Sequence, residues 1–338
     1  MRSRFIALTL VSFLAVGTAQ AQGGGAAAHP SCVGPAADAC QQAVDFFQYM
    51  APQLGTAMTG GNTTLAQGGS MGGPRFGIIP RFAIGVRVNA VQGNRPVYAP
   101  TLVPLAGATA PPPNARELAT ETQIVPLPAV DLALGVFKGI PLALTNVGGV
   151  DLLLSASYVP AVGDRATDDF ALEVDESLAI GYGIRVGLLQ ESLVVPGVGI
   201  SYMQRKFPTT TLFARTEGAV GGASLEIQDL ALKSSAWRLT ASKSLLLFGL
   251  AAGIGQDNYD MSTTIRATQA PANPVSASVA SKVTRTNMFA DLSLNLLVLK
   301  IVGTAGMVNG GEITTYNSFD NAADKSRLYG SVGVRIGL

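Results

Sequence analysis

Charged side chains are scarce in this sequence. Of its 338 residues only 13% are Asp, Glu, Lys or Arg, whereas 48% are apolar and 39 residues are glycine. This balance is too apolar for a typical soluble domain. The formal net charge of +1 supplies no attraction to a polyanion, so we expect no nucleic-acid partner.

Long hydrophobic runs are also missing after the N-terminus. The best candidate, LNLLVLKIVG, is interrupted by Asn295 and Lys300, whereas a membrane-spanning helix needs about 20 consecutive apolar residues. We therefore predict no helical membrane spans. An apolar chain without such spans can occupy a bilayer as a closed β-sheet, because a barrel leaves no unpaired backbone edge in hydrocarbon.

A short apolar run does occur at the start of the chain. Two arginines precede FIALTLVSFLAV, and the tripeptide AQA that ends at Ala21 is a small-x-small cleavage site. These features predict a secretory signal peptide over residues 1–21. The alternative is a membrane anchor, for which the run is short. No cysteine follows the predicted cleavage site directly, so we do not expect a lipid-anchored product.

Cysteine and histidine are nearly absent. Cys32 and Cys40 are the only cysteines, and His29 is the only histidine. An exported compartment favours a disulfide between the two cysteines, with metal ligation beside His29 as the weaker alternative. The glycine-rich GGNTTLAQGGSMGG lacks the lysine and the strand-to-helix context of a phosphate-binding loop. We expect neither a metal nor a cofactor.

Residues 22–74 differ in pattern from the rest of the chain. Apolar residues recur there at helical spacing, and a glycine-rich stretch follows them up to Pro74. Pro52 is expected to kink or end the helix. This segment is predicted either to enter a barrel as a plug or to lie outside it as a periplasmic or mobile helix. The apolar positions are Ala39, Ala43, Phe46, Phe47, Met50 and Leu54.

From Arg75 to Leu338 the apolar residues alternate with small or polar ones, which is typical of two-faced β-strands. The alternation slips once between Leu225 and Leu239, and a β-bulge is the simplest explanation. Short connections near Lys138, Gln190, Ser242 and Leu299 alternate with long, polar ones. The predicted strands begin near residues 75, 121, 149, 170, 194, 222, 245, 281, 301 and 327.

This organisation predicts an all-β fold, a transmembrane antiparallel up-and-down β-barrel of about ten strands (range roughly 8 to 14) over residues 75–338, preceded by the helical segment. The bulky apolar row should face lipid and the small row the lumen. A soluble periplasmic sandwich or lipocalin-like barrel is the alternative, and it would place the apolar row inside. Glycine-rich rows facing water and unusually long strands disfavour it.

The last strand resembles the C-terminal strand of bacterial outer-membrane β-barrel proteins. Val332, Val334, Ile336 and Leu338 match the alternation of that family, although the family usually ends in Phe. The resemblance implies a Gram-negative-type outer membrane as the location, its lipid as a partner, and recognition of this strand by the barrel-assembly machinery.

Charged residues on the small, inward row are the candidate site residues. They are interpreted as a polar path or binding site, or as a structural network of paired ions in a narrow barrel. The predicted lumen-lining residues are Arg81, Arg87, Asp131, Asp151, Asp175, Arg185, Arg238, Asp291 and Arg335.

Two functions are compatible with these features. Enzymes of the outer-membrane barrel class need a histidine in or above the barrel, and His29 lies in the lead-in, so we expect no enzyme. The first function is a porin-like channel or transporter for small, hydrophobic solutes, gated by the N-terminal segment. It is similar in architecture to the long-chain fatty-acid transporter family, whose barrels carry an N-terminal plug. The alternative is a structural or adhesive surface protein whose barrel anchors long loops.

Overall fold

A computed structural model describes residues 25–73, 81–100, 112, 114–142, 144–161, 163, 170–216, 222–270 and 272–337. The predicted signal peptide lies outside the described residues, as does the start of the predicted first strand. The described part contains one helix, α1 (Ala37–Thr59), and no helix there is both long and apolar enough to cross a bilayer. The strands are β1 (Arg81–Pro96), β2 (Glu117–Leu118), β3 (Thr120–Phe137), β4 (Ile140–Leu142), β5 (Thr145–Val147), β6 (Gly149–Tyr158), β7 (Phe170–Val174), β8 (Leu178–Leu189), β9 (Gly197–Lys206), β10 (Thr210–Thr216), β11 (Ala223–Leu245), β12 (Phe248–Gln269), β13 (Val275–Leu296), β14 (Leu299–Asn309), β15 (Ser318–Phe319) and β16 (Arg327–Gly337).

Ten of these strands close into an antiparallel ring, which confirms the predicted barrel. The order around the ring is β1, β3, β6, β8, β9, β11, β12, β13, β14 and β16, and β16 pairs with β1. The predicted bulge in β11 is confirmed as well, because its pairing with β12 shifts between Gln228 and Ala231. Asp229 within the bulge has a φ of 51°, a value common at such irregularities.

The bulky apolar row faces outward, as predicted from the alternation. Its side chains are exposed around the whole barrel, while the small and polar row is buried. The result is a continuous apolar belt on the outer wall. Members of this belt are Ile84, Val86, Val88, Val130, Leu152, Leu154, Ile180, Ile184, Ile200, Leu239, Leu250, Ile254, Leu292, Val332, Val334 and Ile336.

Two of the short turns lie at other residues than predicted, and their side chains extend the apolar belt. Ser242 lies inside β11 and Leu299 begins β14; the turns are formed instead by residues 246–247 and 297–298. Leu246 and Leu297 have φ values of 53° and 54°, where hairpins normally place Asn or Gly. They are fully exposed. These turns carry no local signal because leucine is not a typical turn residue. The apolar belt continues to this end of the barrel.

Helix α1 lies inside the ring, where it contacts β1, β3, β11, β12 and β13. It continues through Pro52 to Thr59, so of the two predicted effects of this proline, a kink or an end, the end does not occur. The reason is burial: 20 of its 23 residues are buried, and packing on all sides overrides the weak local signal.

Long loops cover the N-terminal end of α1. Tyr49 donates a hydrogen bond to the Asn321 carbonyl (2.9 Å). The Asp45 carboxylate accepts hydrogen bonds from the backbone N–H groups of Tyr316 (2.9 Å) and Asn317 (3.1 Å), and from the Asn317 side chain (2.7 Å). The helix therefore enters the barrel from the long-loop end and points toward the short turns.

Docking of the loop of residues 310–326 on α1 is expected to strengthen in mild acid. Burial raises the pKa of Asp45 from 3.8 to about 6, against the opposing effect of the hydrogen bonds from Asn317 and Tyr316. Because the docked state binds the proton of Asp45 more tightly, the full stabilisation of docking is present when the pH is below the ordinary pKa of 3.8. This stabilisation is lost as the pH rises through about 6, and its upper limit is roughly 3 kcal/mol. Amide hydrogen exchange of residues 310–326 should therefore slow as the pH falls from 7 to 5, after correction for the intrinsic rate. Asp45→Asn should remove the dependence, and an unchanged profile in that variant would contradict the assignment.

Candidate functional site

The glycine-rich residues 60–73, called the strip below, continue from α1 along the lumen to the short-turn end. Inward arginines hold the strip by its backbone carbonyls, and each bond joins a side chain of the wall to the main chain of the strip. The bonds are Arg87 to Gly60 (2.8 Å), Arg335 to Thr64 (3.1 Å), Arg185 to Gln67 (3.0 Å) and Arg81 to Met71 (3.1 Å).

Inward carboxylates hold the same strip, and one of them also neutralises an arginine that binds it. Asp151 accepts the Met71 backbone N–H (3.0 Å) and forms a salt bridge with Arg185 (2.7 Å). Asp291 accepts a hydrogen bond from the Asn62 side chain (2.8 Å). Because these charges are buried, the loss of a partner would leave a charge in the lumen without compensation and destabilise the protein.

Small inward residues make room for the strip. A Cβ atom at Gly135 would lie 2.0 Å from the Gly72 carbonyl oxygen, and one at Gly199 would lie 2.4 Å from that of Gly68. Larger side chains at these wall positions would displace the strip. The glycine-rich row of the sequence is therefore the docking surface of the strip.

Eight of the nine predicted lumen residues lie on the inner face of the ring, where most of them contact the strip or one another. Asp175 is the correction: it is exposed in the bend between β7 and β8, and its backbone N–H donates to the Thr209 carbonyl. The predicted alternation runs across this bend, but the strand is interrupted there. The predicted cysteine pair forms a disulfide with 5.4 Å between the Cα atoms of Cys32 and Cys40, which occupies both thiols.

The sequence interpretation missed Asp257, which joins the end of α1 to the wall. Its carboxylate forms a salt bridge with Arg238 (2.5 Å) and accepts hydrogen bonds from Thr59 (3.2 Å) and Asn287 (3.0 Å). The signal was present, because Asp257 continues the inward parity of Gly249, Ala251, Gly253 and Gly255 in β12.

The wall of the barrel is interrupted toward the long-loop end. Strand β3 pairs with β1 from Thr120 to Gly135 but with β6 only from Ala129 onward. Strand β7 pairs with β10 on one side. Within the described residues, no strand pairs with the other edge of β3 from Thr120 to Pro128, and β7 has no partner on its second edge. The described part of the wall therefore has a gap between β3 and β7 at this level.

Prolines explain where the pairing stops. Pro126 and Pro128 stay in register with β1 although they lack an N–H donor. They are compatible with a strand edge that forms no backbone hydrogen bonds to a neighbour, which is the other edge of β3. Strand β6 ends at Tyr158, and Pro160 follows it. The segment PLP indicates a strand edge from the sequence alone. The structure is needed to show which neighbouring strand is missing there.

A mostly apolar cavity of about 440 Å³, called the wall pocket below, lies at this gap. One side is formed by the face of α1 that carries Met50, Leu54 and Ala57, and the other by the free edge of β3. Both inward and outward residues of β3 line it, so it straddles the edge of the wall. Its remaining lining residues are Gln53, Asn94, Arg95, Gln123, Ile124, Val125, Pro126, Leu127, Val159, Pro160, Leu172, Phe207 and Leu212.

A second, more polar cavity of about 450 Å³, called the vestibule below, lies at the short-turn end. Strip residues Gln67 and Met71 line it together with Arg81, Lys300 and Arg335. Residues of α1 and of the strip lie between this vestibule and the wall pocket. These residues therefore separate the two cavities in this structure.

No protein-family model matches the sequence, and no curated protein matches it. Solved structures similar in fold include the outer membrane protease OmpT from Escherichia coli, with 7% identity and a TM-score of 0.38 over 77% of this chain and 96% of that chain. The CymD monoaromatic hydrocarbon channel shows 12% identity and a TM-score of 0.27 over 90% and 97% of the two chains. The outer membrane channel DcaP of Acinetobacter baumannii shows 7% identity and a TM-score of 0.17 over 77% and 96%. At these values the neighbours carry no argument about activity or substrate, and the likeness to the fatty-acid transporter family stays a prediction.

Proposed function

We propose that this protein is an outer-membrane channel for small apolar solutes, which enter at the wall pocket and leave at the vestibule when the strip moves. The apolar pocket at a gap in the wall is the observation that carries this proposal. A solute held there contacts Met50, Leu54 and Ala57 of the plug helix directly. Its binding can therefore bias the position of α1 and of the strip that follows.

The membrane location is supported by the outer apolar belt. Burial of such a belt in acyl chains is favourable, whereas a soluble barrel would expose it to water. Heat-modifiable migration of detergent-extracted protein tests for the closed barrel: a faster band without boiling is expected. Fractionation of an unfused, full-length chain to the outer membrane tests the location.

Filling the wall pocket should block uptake. Leu54→Trp adds a bulky ring to the α1 side of a 440 Å³ cavity, so we expect uptake of a radiolabelled apolar solute such as toluene by expressing cells to fall at least about tenfold, toward the level of cells without the protein. The measurement is the initial uptake rate, normalised to the amount of folded protein in the outer membrane.

The matched control is Leu250→Trp, which makes the same change on the outer belt, where Leu250 is exposed. This variant should keep the wild-type rate. Equal rates for wild type, Leu54→Trp and cells without the protein would contradict the channel and favour the alternative, a barrel that anchors surface loops.

A further inference from the structure

A row of lysines crosses the outer wall above the apolar belt. Lys206 of β9 is directly opposite Lys233 of β11, Lys233 is opposite Asp260 of β12, and Asp260 is opposite Lys282 of β13. All four side chains are exposed. The row therefore carries three positive charges and one negative charge on four adjacent strands.

The direct opposition of two lysines is unfavourable without an anion. Like charges facing each other across an antiparallel pair repel and destabilise it. Asp260 offsets this only in part, because it lies on the far side of Lys233 and forms an ion pair with Lys282 (3.5 Å). Lys206 and Lys233 together face outward as a doubly positive site.

The row lies at the height of lipid headgroups. An apolar band of about 25 Å that starts at the turn leucines ends near Trp237 and Tyr202, which are paired in register. Aromatic pairs of this kind mark the interface between acyl chains and headgroups. Lys233 is four residues beyond Trp237 on β11, roughly 10 Å higher for a tilted strand, which is within reach of a flexible lysine.

Hydrogen-bonding side chains fill the level between the aromatic pair and the lysines. Tyr182 donates to Gln204 (2.9 Å), and Thr284 donates to Asn258 (2.7 Å). A groove of about 750 Å³ on this part of the barrel is lined by these side chains and by the lysine row. Apolar, hydrogen-bonding and cationic levels thus succeed one another along β9, β11, β12 and β13, whereas on the neighbouring β8 the belt residue Ile180 lies opposite Lys206 and lines the same groove.

We propose that this groove binds a phosphorylated lipid, with its phosphate between Lys206 and Lys233 and its acyl chains on the belt beside Trp237. The order of levels matches the order of groups in such a lipid. Basic clusters at a membrane surface attract anionic headgroups by about 1 kcal/mol for each charge. The inference rests on the proposed membrane location.

Trp237 is the only tryptophan of the sequence, so it reports on this site directly. The full chain is reconstituted in phosphatidylcholine vesicles that contain either brominated phosphatidic acid or brominated phosphatidylcholine, and quenching of Trp237 fluorescence is compared. We expect stronger quenching by the phosphatidic acid at equal mole fraction. The preference should fall about fivefold for each lysine removed in Lys233→Gln and in the double variant with Lys206→Gln.

The control is Lys325→Gln, which removes an exposed charge on a long loop and should keep the preference. A preference that persists in the double variant would overturn the site, and so would its loss on addition of inorganic phosphate, which would identify free phosphate as the ligand. Absence of quenching by both brominated lipids would instead show that Trp237 does not face acyl chains, and would contradict the proposed membrane location.

Discussion

Deletion of residues 25–73 is expected to convert a nearly closed barrel into an open pore. In the intact chain α1 and the strip occupy the lumen of a ten-stranded ring. The side chains of an eight-stranded barrel just fill its interior, so ten strands lined largely by small residues leave an aqueous channel; we expect a rise in single-channel conductance on the order of tenfold. Planar-bilayer recordings in concentrated KCl measure it.

The barrel should survive this deletion because its wall strands and belt are unchanged. Arg87 and Arg185 would lose carbonyl partners in the strip but keep Asp131 and Asp151 and gain water. The control is Cys32→Ser with Cys40→Ser, which removes the disulfide and leaves the strip contacts in place; it should keep closed traces. Closed traces from a deleted protein that still migrates as a folded barrel would show that the segment is no gate.

Replacement of Asp257 by alanine is expected to cause the largest loss of stability by a single substitution. The change leaves the Arg238 guanidinium buried without its carboxylate, and it removes the acceptor for Thr59 and Asn287. Breaking a buried ion pair from one side costs about 3–5 kcal/mol. Urea unfolding in detergent, followed by Trp237 fluorescence, should show a midpoint shifted to lower urea.

The matched control lies on the same strand. Asp260 is three residues away but faces outward, and its ion pair with Lys282 is exposed on both sides. Asp260→Ala should therefore cost no more than about 1 kcal/mol. Asp257→Asn keeps the shape and part of the hydrogen bonding, so we expect an intermediate value. Equal midpoints for Asp257→Ala and Asp260→Ala would contradict the role assigned to Asp257 at the joint between α1 and the wall.

Local sequence rules predicted the structure correctly where apolar and small residues alternate with a period of two. The alternation in β8 and β16 predicted which residues face outward, and the slip in β11 predicted its bulge, because a strand exposes successive residues to opposite faces. The same rules failed at Leu246 and Leu297, whose turns carry no Asn or Gly, and at Asp175, where a bend interrupts the parity. Pro52 predicted a kink or an end of the helix, and packing in the lumen overrides the end.

The sequence by itself determined a barrel of about ten strands (range roughly 8 to 14) with an apolar exterior, a small and charged interior, and a helical segment before it. Only the tertiary structure decided that this segment fills the lumen, that Asp257 joins it to the wall, and that the wall is open beside Pro126 and Pro128. The physical reason is distance along the chain: alternation is set between neighbouring residues, whereas the plug contacts and the gap depend on which strands lie side by side and how far each of them extends.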